Sequence, residues 1–404
     1  MSDSVGLKKE VIAEVDSMSG KLVALSDKIH GIAEIGHQEF ETSKLLSSEL
    51  ENAGFRVEKP VCGLATAFKA TMPGKEKGGP TVALLAEMDS LAGIGHGCGH
   101  NIIGTATLGA ALALKKIMSK INGTLIVYGT PAEEGGVENA GGKVIMASEI
   151  AKNADVAMMV HPSGKTFVEG TSTAREALEF EFFGKAAHAG GSPHEGINAL
   201  NAVIHFFTLV DSLRQHVKPD VRLHGIITDG GKATNVVPAY AAAKMYVRAN
   251  ESDYMKEVVE KVKKCAEGAA VATGTTMKVR DYANTLENMR PNHALAEAMK
   301  KNWESIGVKV GGREEDRGGS TDMGNVSQVV PSIHPYIAIG PEKMPGHSIE
   351  FAKAAASEQG HQGLIYAAKG LAMTTIDVFT SQELLTEVKK EFKEYKQKKK
   401  MDSA

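Results

Sequence analysis

Residues 81–118 read TVALLAEMDSLAGIGHGCGHNIIGTATLGAALALKKIM. TVALLAEMD (81–89) is a short apolar run closing on an aspartate, and TATLGAALALKKIM has the length and texture of a helix, so the stretch reads as strand, glycine-rich loop, helix. The alternation recurs in TLIVYGTP (124–131) and ADVAMMVHP (154–162). Strands alternating with helices predict an α/β layer with a mixed, mostly parallel sheet. In each run the chemically capable residues stand at the C-terminal end: Asp89, then Glu133 and Glu134, then His161. Ligands of open α/β sheets gather at that edge.

Upstream, Val11, Ile12, Val15, Met18, Leu22, Leu25 and Ile29 recur at helical spacing, and a second helix runs through TSKLLSSELENAGF. After about Thr173 the texture changes. LEFEFFGKAAHAG reads as a strand, NALNAVIHFFTLVDSLRQH as a helix, VRLHGIITDG and AYAAAKMYVRAN as strands, and Asp253 to about Ala272 as a helix. That order predicts an inserted α+β two-layer sandwich. From about Asn288 the helix HALAEAMKKNWESIG, the stretch GGREEDRGGSTDMGN and the strand-like SIHPYIAIG read as the chain re-entering the first domain, and a charged amphipathic helix closes it.

The 404 residues suit two domains at roughly 150 residues each. A composition 42% hydrophobic and 24% charged is that of a globular protein. Lysine plus arginine number 46 against 49 aspartate plus glutamate, a net charge of -3, so nucleic acid is not an expected partner. The N-terminus lacks a signal-peptide pattern and no apolar run is long enough to span a membrane, so the expected address is cytoplasmic. Three cysteines, Cys62, Cys98 and Cys265, cannot build a disulfide framework and fit a reducing compartment.

GHGCGHN (95–101) carries the chemistry. In an extended loop Cys98 and His100 would point the same way. Thiolate and imidazole are ligands of zinc and similar metals, and flanking glycines leave room for an ion. Alone, such a pair is more often a buried cysteine beside turn histidines, or a Cys-His nucleophile. It has company. TPAEEGG sets Glu133 and Glu134 just past a strand, where one carboxylate can bind a metal while its neighbour takes a proton from water the metal has acidified. His161 ends MMVHP at the same edge, and His347 lies in the turn MPGHS. Cys98, His100, Glu134, His161 and His347 make five ligands, enough for two ions sharing one of them at roughly 3.5 to 4 Å separation. Arg248, ending a strand, can clamp a substrate carboxylate.

The segments AEMDSLAGIGHGCGHN, TPAEEGG, MMVHP, GKAAHAGGSPHEGINAL, TNVVPAYA and MPGHS resemble the aminoacylase and glutamate-carboxypeptidase superfamily of co-catalytic metallopeptidases. They are most similar to its amidohydrolase branch, which includes p-aminobenzoyl-glutamate hydrolases and β-alanyl dipeptidases, and the resemblance runs through nearly the whole chain. It implies Glu133 as general base, Glu134, His161 and His347 as ligands beside Cys98 and His100, and two divalent ions, zinc or manganese. It implies that Asp89 orients a ligating histidine. It assigns 1–172 and 288–404 to a catalytic domain and 173–287 to a dimerisation or lid domain, with His188 reaching the active site of a partner in a homodimer, where it would stabilise an oxyanion. Asn235, Ser320, Thr321 and Asp322 match substrate-contact positions, and the same residue types serve equally as turn formers. Where carboxypeptidase-like members carry histidine two residues before the aspartate, this chain has Glu87.

The expected activity is hydrolysis of a small-molecule amide: an N-acyl amino acid, an aminobenzoyl-glutamate-like compound or a dipeptide. Two other functions fit parts of the sequence. A metal-free cysteine hydrolase would use Cys98 with His96 or His100, and a non-catalytic dimeric binding protein could share the fold.

Overall fold

Thr81–Glu87 carries six buried side chains in a row, as a strand covered on both faces requires. In a computed structural model, which describes residues 4–76, 78–311 and 319–402, this run is the centre of a six-stranded sheet. The segment GREEDRG (312–318), part of the glycine-rich stretch noted above, lies outside the described residues. The chain divides into two units. One holds the described residues up to Thr171, those from Met289 to 311 and those from Asp322 onward; the other holds Ser172–Asn288 with 319–321.

The first unit opens with α1 (Ser4–Ile32), α2 (Phe40–Asn52), β1 (Arg56–Glu58), β2 (Phe68–Pro73), β3 (Thr81–Glu87), α3 (His100–Met118), β4 (Thr124–Thr130), α4 (Gly142–Asn153), β5 (Val156–Met158) and β6 (His161–Ser163). The second unit contributes β7 (Ala174–Phe183), α5 (Ala199–Leu213), β8 (Arg222–Asp229), β9 (Tyr240–Ala249), α6 (Ser252–Thr273) and β10 (Thr276–Asp281). The first unit then resumes with α7 (His293–Ser305), α8 (Met323–Ser327), β11 (Ser332–Ile333), β12 (Tyr336–Ala338), α9 (Ile349–Ala354), α10 (Glu358–Thr380) and α11 (Gln382–Asp402).

The main sheet runs β1-β2-β4-β3-β5-β11. Its β4, β3, β5 and β11 are mutually parallel, while β2 pairs antiparallel with β4 and β1 antiparallel with β2. Alternate side chains of β3 divide between two cores. Val82 and Leu84 pack with Val15 and Leu22 of α1, Leu108 of α3 and Leu371 of α10; Ala83 and Leu85 pack with Met146 and Ile150 of α4 and Met323 and Val326 of α8. The period of two along a pleated strand thus gives this unit three layers. One expectation changes. ADVAMMVHP is two strands: β5 pairs with β3 and β11 as far as Met158, and His161 begins β6, which pairs with β12 in a separate small sheet.

The second unit has strand order β10-β7-β9-β8, antiparallel throughout. Helices α5 and α6 cover one face, where Phe180 and Phe206 rings meet at 4.5 Å. Among the described residues no helix is long and apolar enough to cross a membrane.

Trp303, the single tryptophan, is fully buried in α7, and its indole N–H donates to the Tyr366 carbonyl at 2.9 Å. Trp303→Ala is expected to lower stability by about 3–5 kcal/mol, through lost burial and a cavity in this core; urea unfolding followed by circular dichroism measures it.

Candidate active site

The ends of β3 and β4 converge. β3 and β4 are parallel and in register to Glu87 and Thr130, so Asp89 and the turn carrying Glu133 and Glu134 leave the sheet at one edge. The turn is bent at Ala132, which adopts φ +53, and is held by buried Glu39, whose carboxylate accepts the Ala132 N–H at 2.8 Å and the Thr66 hydroxyl at 2.8 Å. Glu39 is a support that the sequence reading missed; its acid lies far from the motif in sequence and carries no metal-like spacing.

The cysteine motif is not extended. Gly99 takes the left-handed conformation at φ +79 and His100 begins α3, so Cys98 and His100 converge through a helix start rather than by strand alternation. A Cβ on Gly99 would stand 2.5 Å from Cγ of Pro162, so this glycine is required twice, for its φ and for the close approach. His347, itself at φ +55, is tied to the same loop by its N–H donating to the Gly97 carbonyl at 2.9 Å.

The donor atoms of Cys98, His100 and His161 lie within 4.8 Å of one another, as do those of Cys98, Glu134 and His347. Cys98 belongs to both triplets, and the two together contain the five side chains singled out from the sequence. Sγ of Cys98 is 3.4 Å from Nε2 of His161, and Nε2 of His347 is 3.5 Å from a Glu134 oxygen. Oε1 of Glu134 is buried without a hydrogen-bond partner, and Nε2 of His100 faces a Glu87 oxygen at 3.2 Å without a well-formed hydrogen bond. Buried polar atoms without partners mark places where a ligand completes the structure. One thiol, three imidazoles and one carboxylate suit a borderline-soft divalent metal, so these residues can hold it.

Surrounding groups aim the donors. Asp89 accepts from Nδ1 of His100 at 3.1 Å, which turns the Nε2 lone pair inward, and its other oxygen accepts the Glu134 N–H at 2.9 Å. Nδ1 of His161 donates to the Pro162 carbonyl at 2.7 Å, directing its Nε2 toward Cys98. His96 does other work: its Nε2 meets the Ile29 carbonyl at 3.2 Å at the end of α1, its Nδ1 accepts the Asn101 N–H, and burial lowers its pKa to about 3.

The electrostatics argue against a metal-free thiolate. Burial and the Glu134 carboxylate push the Cys98 thiol well above its ordinary range, outweighing the opposing effect of His100, which disfavours a free thiolate nucleophile. Burial lowers His161 to about 4, leaving a neutral imidazole suited to ligation. Burial also works against a charged His100, but Glu87 and Asp89 outweigh it and raise that pKa. Glu133 is raised by burial and then by the carboxylates of Glu87, Glu134 and Asp322, which moves a carboxylate toward the range of a useful base.

Two further residues belong to this environment. Lys143, on α4, is fully buried, with Nζ 2.6 Å from Glu87 and in close ion pair with Asp322. Burial pushes Glu87 up, yet Lys143 and then His100 hold it at about 2. Asp322, grouped above with Ser320 and Thr321 as a substrate contact, is instead buried against Lys143. The signal for Lys143 was faint: a cation in the first turn of a helix, where the backbone dipole disfavours it.

The other expected residues lie in the second unit. His188 is exposed, and its Nδ1 accepts the N–H groups of Gly190 at 3.2 Å and Gly191 at 2.9 Å, which leaves Nε2 as a donor. Asn235 is beside it, its carbonyl accepting the Ala189 N–H at 3.0 Å. Arg248 donates to the Ser320 hydroxyl at 3.0 Å and stacks on Tyr246, while Thr321 is buried.

Comparison with known proteins identifies the family. Residues 176–273 match the peptidase dimerisation domain. The chain is 36% identical to the Xaa-Arg dipeptidase of Mus musculus, over 96% of this chain and 92% of that protein. It belongs to the M20 amidohydrolase and peptidase superfamily. This M20 chain is also 32% identical to a chain of the p-aminobenzoyl-glutamate hydrolase of Escherichia coli (strain K12), over 91% of each. A Bacillus subtilis structure described as a dinuclear metal binding peptidase from the M20 family shares the fold, with TM-score 0.62 at 19% identity over 90% of this chain and 99% of that one. The M20 chain is therefore an enzyme, a hydrolase of the metallopeptidase and amidohydrolase type, as its sequence resemblance implied.

Gly99→Ala is expected to cost about 1–3 kcal/mol in stability, from backbone strain at a positive φ. By moving Cys98 away from His161 it should also weaken Zn2+ binding at least about tenfold, the scale on which metal sites respond to misplaced support. Competition against a chromophoric chelator reads the second effect.

Proposed function

We propose that this enzyme hydrolyses the amide bond of a dipeptide, an N-acyl amino acid or an aminobenzoyl-glutamate-like compound, with two divalent ions, zinc or manganese, held by Cys98, His100, Glu134, His161 and His347. The observation that carries this reading is the thiol of Cys98 shared between two donor triplets, with half-buried Glu133 within 4.8 Å of His100 and Glu134 donors. Two relatives named for dipeptide and aminobenzoyl-glutamate hydrolysis support the substrate class.

Divalent ions at this position supply Lewis-acid polarisation of a carbonyl and make water more acidic. Glu133 takes the proton of the attacking water on a carboxylate oxygen and returns it to the departing amine nitrogen, so that water is added across the C–N bond and the carboxylate is regenerated. Asp89 keeps the His100 ring oriented throughout. Arg248, with Asn235, Ser320 and Thr321, is assigned to the substrate, the guanidinium pairing a carboxylate through two hydrogen bonds. His188 of a second protomer donates from Nε2 to the developing oxyanion. A homodimer is supported by edge strand β8, which leaves Ile226 63% and Ile227 46% exposed, the kind of edge that pairing with another copy covers. The free cysteines Cys62, Cys98 and Cys265 agree with a reducing, cytoplasmic setting.

Glu133→Gln is expected to reduce kcat by at least about 10²-fold on any dipeptide or N-acyl amino acid the wild type cleaves, with metal content by elemental analysis unchanged. A variant with near-normal turnover would remove Glu133 from the base role. Chelation should abolish activity and added Zn2+ or Mn2+ restore it.

Mixing inactive Glu133→Gln with inactive His188→Ala, with protomer exchange verified by mass, should recover part of the activity, because one of the two sites in each mixed dimer is intact. Demonstrated heterodimers with no recovery would rule out a shared site.

A further inference from the structure

Beside the donor cluster lies a second group with different chemistry. Oxygens of Glu87, Glu133 and Asp322 stand within 4.8 Å of one another, with no sulfur or imidazole among them. Three converging carboxylates are the ligand set of a hard, oxygen-preferring cation such as Mn2+, Mg2+ or Ca2+. Glu87 is 1% exposed and Asp322 is fully buried, so their charges demand a counter-charge.

That counter-charge comes from the chain. The wholly buried ammonium of Lys143 is 2.6 Å from Oε1 of Glu87 and in close ion pair with Oδ1 of Asp322. The Lys143 N–H also donates to the other Asp322 oxygen at 2.8 Å, so backbone and side chain are fixed to one carboxylate. Two costs stand against a lysine here: complete desolvation of the ammonium, and a place in the first turn of α4, where the helix dipole is positive. Packing alone would be served as well by an apolar side chain of similar length.

We propose that Lys143 is a built-in cation, a positioning residue whose ammonium occupies what would otherwise be a third divalent-ion position and so keeps Glu133 unligated. A divalent ion in this cage would draw on a Glu133 oxygen and remove the lone pair the base needs to accept a proton. An ammonium held by Glu87 and Asp322 offsets one negative charge of the cage and leaves Glu133 free of a divalent ion. The proposal deepens the reading of Glu133 as base, but its decisive observable, an ion count relative to wild type, stands apart from that reading.

The experiment titrates chelator-stripped wild type, Lys143→Ala and Lys143→Ala/Asp322→Asn with Mn2+, following free Mn2+ by electron paramagnetic resonance. Lys143→Ala is expected to take up one more Mn2+ per chain than wild type, and to lose activity at least tenfold as that equivalent fills. The double variant, short of one ligand, returns to the wild-type count. A folded Lys143→Ala chain with the wild-type count overturns the proposal. If that variant folds only when Mn2+ is supplied during expression and unfolds on chelation, the ion has replaced the ammonium and the proposal stands; if it stays insoluble with Mn2+ supplied, the proposal falls. Should wild type itself bind no metal, the two-ion reading of the Cys98 cluster fails, while an extra equivalent in Lys143→Ala still identifies the cage.

Discussion

The carboxylate of Asp89 ties the first unit's functional edge together. One oxygen accepts from the imidazole of His100 at the first turn of α3; the other accepts the backbone N–H of Glu134 in the turn after β4. A single buried acid thereby fixes the end of β3 against two other elements and sets the orientation of two proposed ligands. Its pKa is lowered, because the hydrogen bond and charge of His100 outweigh burial. The cooperation has a geometric origin: parallel neighbours deliver their C-terminal ends to one edge, and a carboxylate has two oxygens to bridge what arrives there.

Around that bridge the protein arranges many buried charges in a small volume. Glu87, Asp89, Glu134 and Asp322 are all less than a tenth exposed. A carboxylate out of water needs a partner, and the solutions differ by position: Asp89 uses hydrogen bonds, Glu87 and Asp322 use the ammonium of Lys143, and Glu134 keeps one oxygen unpaired toward the donor cluster. The carboxylates of Glu87 and Asp322 thus flank Lys143, and Glu87, also 3.2 Å from Nε2 of His100, marks where that environment gives way to the thiol and imidazole donors. That division separates a position suited to an ammonium from one suited to softer metals.

Much of this was legible in the sequence. The apolar runs at 81–89 and 124–131, a helix beginning at the end of GHGCGHN and the strand, helix, strand, strand, helix, strand order of 174–281 appear, since burial periodicity is written locally in residue type, although the strand read through GKAAHAG stops at Phe183. The five proposed donors could also be picked out, because Cys, His and paired Glu near strand ends are few and chemically distinct, and the structure brings them into two triplets.

The remainder depended on contacts distant in sequence. Whether Cys98 and His100 converge was decided by the left-handed Gly99, wedged against Pro162, and not by strand alternation. The break that makes His161 the start of its own strand follows from its pairing with β12, a segment near the other end of the chain. Lys143 and Asp322 stand 179 residues apart, and neither spacing nor hydropathy announces an ion pair between them. The sequence by itself determined which elements form and which side chains have the chemistry to bind metal, because periodicity and functional-group identity are properties of short segments. Only the tertiary structure decided which acids face a metal site, which face a lysine and which merely hold a turn, because the cost of a buried charge is set by whatever the fold brings within a few ångströms of it.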